Sequence, residues 1–295
     1  MKCSILQRLQ QDRPVLSVEF FPPKTPEAES QLLESAQQLT AINPDFASIT
    51  YGAGGTTRER TLTYAKRLAH EFGYQVMPHL TCVGHSQAEL LELLSDFATQ
   101  SFPAIMALRG DPPKGLSNFV PHPDGLRYAS DLVSLIRAKF PQFEIGVGGY
   151  PETHPEAKSA TEDLHNLGIK LGAGSDFITT QLFLDNAVYH QFVRRIRELG
   201  HQQPVLPGVL IPLSLDQLER FAGFCKASIP SELRRRLQTA GSSESAQTEV
   251  GIEWAFEQSA DLLSSGAPGI HLYILNRFRP ALALFEKFRQ AKFIS

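Results

Sequence analysis

Apolar positions along this chain follow two alternating rhythms. In short runs every second residue is aliphatic; in the longer stretches between them, apolar residues stand three and four apart. Leu16-Ser17-Val18-Glu19-Phe20-Phe21-Pro22-Pro23-Lys24 has the first rhythm and predicts a strand that stops at the Pro-Pro pair, since proline cannot donate to a sheet ladder. Further strands are predicted over 46–52, 76–82, 104–109, 144–149, 177–183, 205–211 and 269–275. The second rhythm predicts helices from a Thr25-Pro26 start to Leu39, over 58–72, after a Ser86 cap, and over 125–140, 158–171, 186–199, 215–225, 248–263 and 279–289. Residues 228–245 read as an irregular insertion. Eight strand-then-helix units match an α/β fold of the (β/α)8 TIM-barrel type better than an open doubly wound sheet. No linker or composition shift divides residues 1–295, so one domain is expected.

Strand parity carries the first functional signal. Alternate strand residues share a face, which groups Ser17, Glu19 and Phe21; Ser48 and Thr50; Met77, His79 and Thr81; Thr179 and Gln181; His271, Tyr273 and Leu275. The opposite sets, such as Leu16, Val18 and Phe20, or Ile178 and Leu182, suit packing against helices. Glu19, Thr50, His79, Gln181 and Tyr273 then face the lumen near the C-terminal strand ends, where barrel enzymes place their chemistry. A single such residue reads as a core polar group with a buried partner; five in phase favour a site.

Composition narrows the class. With 295 residues, 42% hydrophobic and 20% charged, the chain can bury a large core. A net charge of −3 gives no general attraction to nucleic acid or anionic membranes. The dense basic run Arg234-Arg235-Arg236 reads as a solvated helix face. Cys3, Cys82 and Cys225 are odd in number and far apart, which argues against a disulfide framework and fits a reducing compartment. No signal-peptide core or membrane-length apolar run is present, so a soluble, cytoplasmic protein is expected.

Other chemistries fit less well. His79, Cys82 and His85 run as H-x2-C-x2-H, but strand positions three apart point to opposite faces and do not converge on a metal. Gly52-Ala53-Gly54-Gly55 and Gly146-Val147-Gly148-Gly149 allow close backbone approach to a ligand, yet neither is a Rossmann fingerprint. Arg109-Gly110-Asp111 alone reads as a turn with an internal ion pair, and Lys170 alone as a solvated helix end.

Taken together, several segments resemble the methylenetetrahydrofolate reductase family. They are Val18–Lys24 with its Glu19-Phe20-Phe21-Pro22-Pro23 core, Thr50-Tyr51-Gly52-Ala53-Gly54-Gly55-Thr56-Thr57-Arg58, Leu108-Arg109-Gly110-Asp111-Pro112-Pro113, Gly149-Tyr150-Pro151-Glu152-Thr153-His154-Pro155-Glu156-Ala157, Thr180-Gln181-Leu182-Phe183 and Leu275-Asn276-Arg277. The likeness covers essentially the whole chain, in order, and points to the short bacterial type with the catalytic barrel alone. It implies a ping-pong reductase in which NADH reduces bound FAD and 5,10-methylenetetrahydrofolate then takes the hydride, giving 5-methyltetrahydrofolate for methionine synthesis.

By that resemblance Glu19 is the acid that protonates N10, and Asp111 the carboxylate that stabilises the resulting iminium cation. A lumen carboxyl shielded from water is expected to have a raised pKa. FAD contacts fall on Thr50, Tyr51, Ala53, His79, Arg109, Gly110, Asp111, Ala129, Tyr150, His154, Ala157, Asp163, Asn166 and Lys170. Substrate contacts fall on Gln181, Gln217, Phe221 and Arg277. Ile169 departs from the family, which often has a basic residue there, and so removes one phosphate contact. The resemblance suggests NADH, although no motif in the sequence separates it from NADPH, and outer helices would supply contacts for a homo-oligomer. The competing readings are a flavin-free pteridine-binding barrel, reducing directly with NADH or only carrying the pteridine, and a non-catalytic accessory barrel.

Overall fold

The strand ladder is parallel throughout, because helices between successive strands carry the chain back to the same end of the sheet. A computed structural model describes residues 4–52, 58–112 and 119–294. In chain order the elements are α1 (Ile5–Leu9), β1 (Val15–Phe20), α2 (Pro26–Leu39), a 3-10 turn (Thr40–Ile42), β2 (Phe46–Ile49), α3 (Arg58–His70), β3 (Val76–Thr81), α4 (Gln87–Thr99) and β4 (Ala104–Leu108). They continue with α5 (Ala129–Lys139), β5 (Glu144–Gly149), α6 (Ala160–Gly172), β6 (Phe177–Thr180), α7 (Asn186–Glu198), β7 (Val205–Leu206) and β8 (Gly208–Leu210). The last are α8 (Leu215–Cys225), α9 (Ser231–Thr239), α10 (Glu244–Ser264), β9 (Gly269–Tyr273) and α11 (Phe278–Gln290).

The strands are ordered β7-β6-β5-β4-β3-β2-β1-β9-β8. β7 and β8 are two halves of the predicted seventh strand, parted at Pro207, which has no N–H to give. The first half pairs with β6 and the second with β9, while the Pro207 carbonyl accepts from His271 N at 2.9 Å. That split strand closes the ring, so the eight-unit barrel reading holds. Capping follows the sequence as well: Thr25 caps α2 with Pro26 in its first turn, and Ser86 forms a capping box with Glu89 on α4.

Two layers of apolar side chains position the site. Outside the ring, Val18, Phe20, Ile49, Leu80, Ile105, Val147 and Ile178 pack against the helices. Inside its lower half, Val15, Phe46, Met77, Ala104, Met106, Phe177 and Leu206 fill the lumen, and Ile5 and Leu9 of α1 plug it from below. The lumen is therefore dry underneath, and anything polar above rests on an apolar floor. α1 has a Ser4–Gln7 capping box but is too short for its periodicity to register in the sequence. It is tied on by Leu6 N to Glu144 Oε2 at 3.0 Å and by Arg8 to Asp45. Asp45 also pairs with Arg13 and accepts from Leu16 N at 2.9 Å.

Three expectations need correction. The 228–245 stretch is not wholly irregular: α9 lies within it, burying Leu233 and Leu237 against Leu218 of α8. Its polar residues conceal that face, since Arg235 and Arg236 pair with Glu232, Arg236 with Glu257 and Arg234 with Glu219. The strand predicted over 177–183 ends at Thr180, because the Gln181 side chain takes Leu182 N at 2.8 Å. Leu182 consequently lies beyond the strand and packs with Leu184, Leu210 and Leu218 of α8, in a cluster separate from the main outer layer. The helix predicted from Gly125 starts at Ala129, where Asp131 accepts from Arg127 N and Tyr128 N.

Among the described residues no helix is long and apolar enough to cross a membrane. If α1 seals the barrel, Ile5→Ala should cost about 2–4 kcal/mol of stability, as for other buried aliphatic truncations. Urea denaturation followed by circular dichroism measures this; a cost near zero would make α1 a loose appendage.

Candidate active site

Above the apolar floor, the C-terminal strand ends open into a cavity of about 640 Å3. Glu19, Thr50, His79, Gln181 and Tyr273 all line it, so the shared parity marks the lumen wall. β5 contributes glycine to both levels: Gly148 lines the cavity, where a Cβ would meet only Leu108 at 3.5 Å, and below it a Cβ on Gly146 would stand 2.8 Å from the Phe177 ring of the floor.

Glu19 sits on the floor with 7% of its surface exposed. Ser48 Oγ donates to its Oε2 at 3.2 Å, and His271 Nε2 lies 3.4 Å from the same oxygen. His79 Nε2 stands 3.3 Å from it, at ion-pair distance but outside hydrogen-bond geometry. His271 is itself fully buried, with Nδ1 2.7 Å from Ser17 Oγ. Burial raises the Glu19 carboxyl, but the two imidazoles outweigh it and hold the group down at about 2. This reverses the expectation of a raised pKa: desolvation was foreseen, and the converging histidines were not. Ser17, Ser48 and His271 share Glu19's parity, which is the signal that could have found them.

The remaining wall divides into anchors and rim. Lys170 of α6 reaches inward and donates from Nζ to Gly148 O at 2.6 Å; burial pushes its ammonium down to about 8, against the opposing charge of Asp163. Tyr150 is held by Gln181, and burial raises its phenol to about 12. The Tyr150 and His154 rings meet edge to face, 4.5 Å between centroids. Tyr51 lines the wall through a 2.9 Å bond to His85 Nε2. Tyr273 donates to Thr180 O at 2.5 Å, a lock from β9 to β6 over the split strand that lies between them. Arg109, Asp111 and Gly110 form the edge after β4; Gly110 has φ +88°, and a Cβ there would lie 2.5 Å from Val83 Cγ1. Phe221, Cys225 and Ala129 complete the rim, burial raising the Cys225 thiol to about 11.

The other sequence candidates stand back from the wall. Asp163 accepts from His154 N at 2.8 Å and orients that segment, while Ala157 N bonds to His154 O at 2.9 Å. Asn166 is exposed on α6. Gln217 accepts from Leu213 N at 3.2 Å, and Arg277 caps the start of α11, 3.8 Å from Glu244. Ala53 lies outside the described residues.

Among the described residues, two buried hydroxyls on the wall have no hydrogen-bond partner within the protein, Thr81 Oγ1 and Thr179 Oγ1, and His79 Nε2 has only its ion-pair contact with Glu19. Buried polar groups are nearly always satisfied, so these orphans mark the floor as a surface for a polar ring ligand. With Lys170 and Arg109 above them, the donor set suits a ring system joined to a phosphoanion.

Comparison with known proteins identifies the lineage of this arrangement. The family model for methylenetetrahydrofolate reductase matches residues 4–289. The chain belongs to the methylenetetrahydrofolate reductase family. It is 35% identical over 269 residues to the 5,10-methylenetetrahydrofolate reductase of Escherichia coli, covering 91% of this chain and 88% of that one. It is 36% identical over 294 residues to a rice protein named probable methylenetetrahydrofolate reductase (NADH), covering 95% of this chain and 50% of that one. The chain thus spans about half the length of the plant relatives it matches. A Clostridium thermocellum protein described as binding two copies of 5-methyl-5,6,7,8-tetrahydrofolic acid shares the fold, with TM-score 0.66, 15% identity and coverage of 98% and 99%.

The histidine cluster makes a measurable prediction. With His271→Asn, one of the two imidazoles that offset burial is lost and the Glu19 carboxyl should rise from about 2. Carbon NMR of labelled glutamate against pH reads this directly, and an unmoved titration would remove His271 from the cluster. In the wild type the depressed carboxyl contributes stability that is fully present above about pH 4.5 and lost as pH falls through about 2. His271→Asn should shrink that acid-side loss.

Proposed function

We propose that the barrel reduces 5,10-methylenetetrahydrofolate to 5-methyltetrahydrofolate, with NADH as electron donor and FAD as bound cofactor. The observation that carries the reading is the buried Glu19 carboxylate among two imidazoles, at the floor of a family-matched cavity whose wall leaves polar atoms unpartnered.

The residues fit FAD. Lys170 and Arg109 supply cations for a pyrophosphate, Tyr150 and His154 offer aromatic edges, and Thr50, Tyr51, His79 and Gly110 line the space for the ring system. When bound, FAD would accept hydride from NADH and pass it to the folate. Alternate use of one cavity by two substrates agrees with its size.

The protein's own part in the chemistry is proton transfer and charge placement. Opening the five-membered ring of the folate requires a proton at N10; the C–N10 electron pair moves to N10 and the N5 lone pair forms the iminium. The two imidazoles hold Glu19 as an anion, so the proton reaches N10 through the Glu19–His79–His271 cluster rather than from an isolated acid. A ring seated over Glu19 excludes the remaining water and pushes the carboxyl up, which favours its protonated form at the moment of use. Asp111, at the rim, places negative charge where the iminium develops. Gln181 is placed to hydrogen-bond a pterin, and Phe221 to cover its face.

Glu19→Gln tests the assignment, because only the folate half-reaction needs an acid. Folate turnover should fall by about 10²–10⁴-fold, the range for loss of a general acid, while NADH oxidation by an artificial acceptor continues. Retained folate turnover would take Glu19 out of the mechanism.

A further inference from the structure

The Arg109 fork is already holding an anion that belongs to the protein. Its Nη1 and Nη2 donate to Glu156 Oε2 and Oε1 at 2.6 Å each, its Nε donates to Gly110 O at 3.1 Å, and its guanidinium lies 5.0 Å over the Phe119 ring. This two-oxygen geometry is the one a guanidinium offers to carboxylate and phosphate alike. Arg109 is largely buried at the cavity wall, whereas the Glu156 side chain is 45% exposed.

The main chain around Glu156 is secured without its carboxylate. Glu156 N bonds to His154 Nδ1 at 3.1 Å, Ala157 N to His154 O at 2.9 Å, and Lys226 Nζ to Pro155 O at 2.7 Å. Glu152 adds a second tie across the barrel mouth, accepting from Ser228 N at 2.8 Å and Ser228 Oγ at 2.7 Å. The carboxylate can therefore swing into water while the loop stays in place.

We propose that Glu156 is a displaceable internal surrogate for a phosphoanion: it occupies the Arg109 fork and must be pushed aside by the pyrophosphate of an incoming dinucleotide. Glu156 thereby sets the affinity and release rate of the cofactor without being one of its contacts. This inference rests on the FAD reading above.

The test is titration of FAD into apoprotein, followed by quenching of flavin fluorescence, for the wild type, Glu156→Gln, Arg109→Gln and the double variant. Removing the competitor should tighten FAD binding about two- to fivefold, the worth of one partly exposed ion pair, and slow its release. In the Arg109→Gln background the same substitution should have no effect, which a merely structural role for Glu156 would not reproduce. If Arg109→Gln does not fold, Arg109→Lys, which keeps the charge and loses the fork, takes its place, and the gain should shrink. Unchanged or weaker binding by Glu156→Gln, or a gain that persists in full without the fork, overturns the inference and leaves the cofactor reading standing. Absence of saturable FAD binding by the wild type overturns both.

Discussion

A carboxylate held between two imidazoles on a dry floor is the constraint around which this barrel is arranged. Burying Glu19 without partners would cost several kcal/mol and neutralise it. The chain spends His79, His271 and Ser48 on keeping it charged, and Ser17 on holding His271. That arrangement needs four strands in register: Glu19 is level with Ser48 on β2 and Tyr273 on β9, Ser17 is level with His271, and β3, which carries His79, pairs with β2. It also needs water kept out from beneath, which the α1 plug and the Met77, Met106 and Phe177 layer provide.

The same scaffold leaves room above the charge. On β5, Gly148 adds no side chain to the side of the lumen that faces β1, and Tyr273 ties β9 to β6 by donating to Thr180 O. Specificity is then assigned to the loops, as is usual for barrels. Arg109, Asp111 and Tyr150 follow β4 and β5, while α8 brings Phe221 to the mouth.

Much of this was legible in the sequence, for definite reasons. Strand parity is a strict period of two, so Glu19, Thr50, His79, Gln181 and Tyr273 could be placed on one wall without knowing the fold's details. Caps such as Ser86 declare themselves by side-chain chemistry. What could not be read were properties of convergence. His271 and Ser17 lie far apart in sequence, and nothing local to Glu19 reveals that an imidazole from β9 reverses the effect of its burial. Nor could local pattern show that Arg109 closes on Glu156, or that the Arg-rich stretch forms a helix whose two buried leucines hide among ion pairs. Lys170 read alone as a solvated helix end; its inward turn depends on the Gly148 carbonyl on a neighbouring strand. Gln217 and Arg277, matched by resemblance to substrate contacts, stand back from the cavity wall.

The most direct measurement is the visible absorption spectrum of the purified protein under anaerobic conditions, recorded before NADH, after NADH and after subsequent 5,10-methylenetetrahydrofolate. The account predicts a flavin spectrum that NADH bleaches and the folate restores. A protein that stays colourless when supplied with FAD, or one that bleaches and does not recover its colour with the folate, would contradict it.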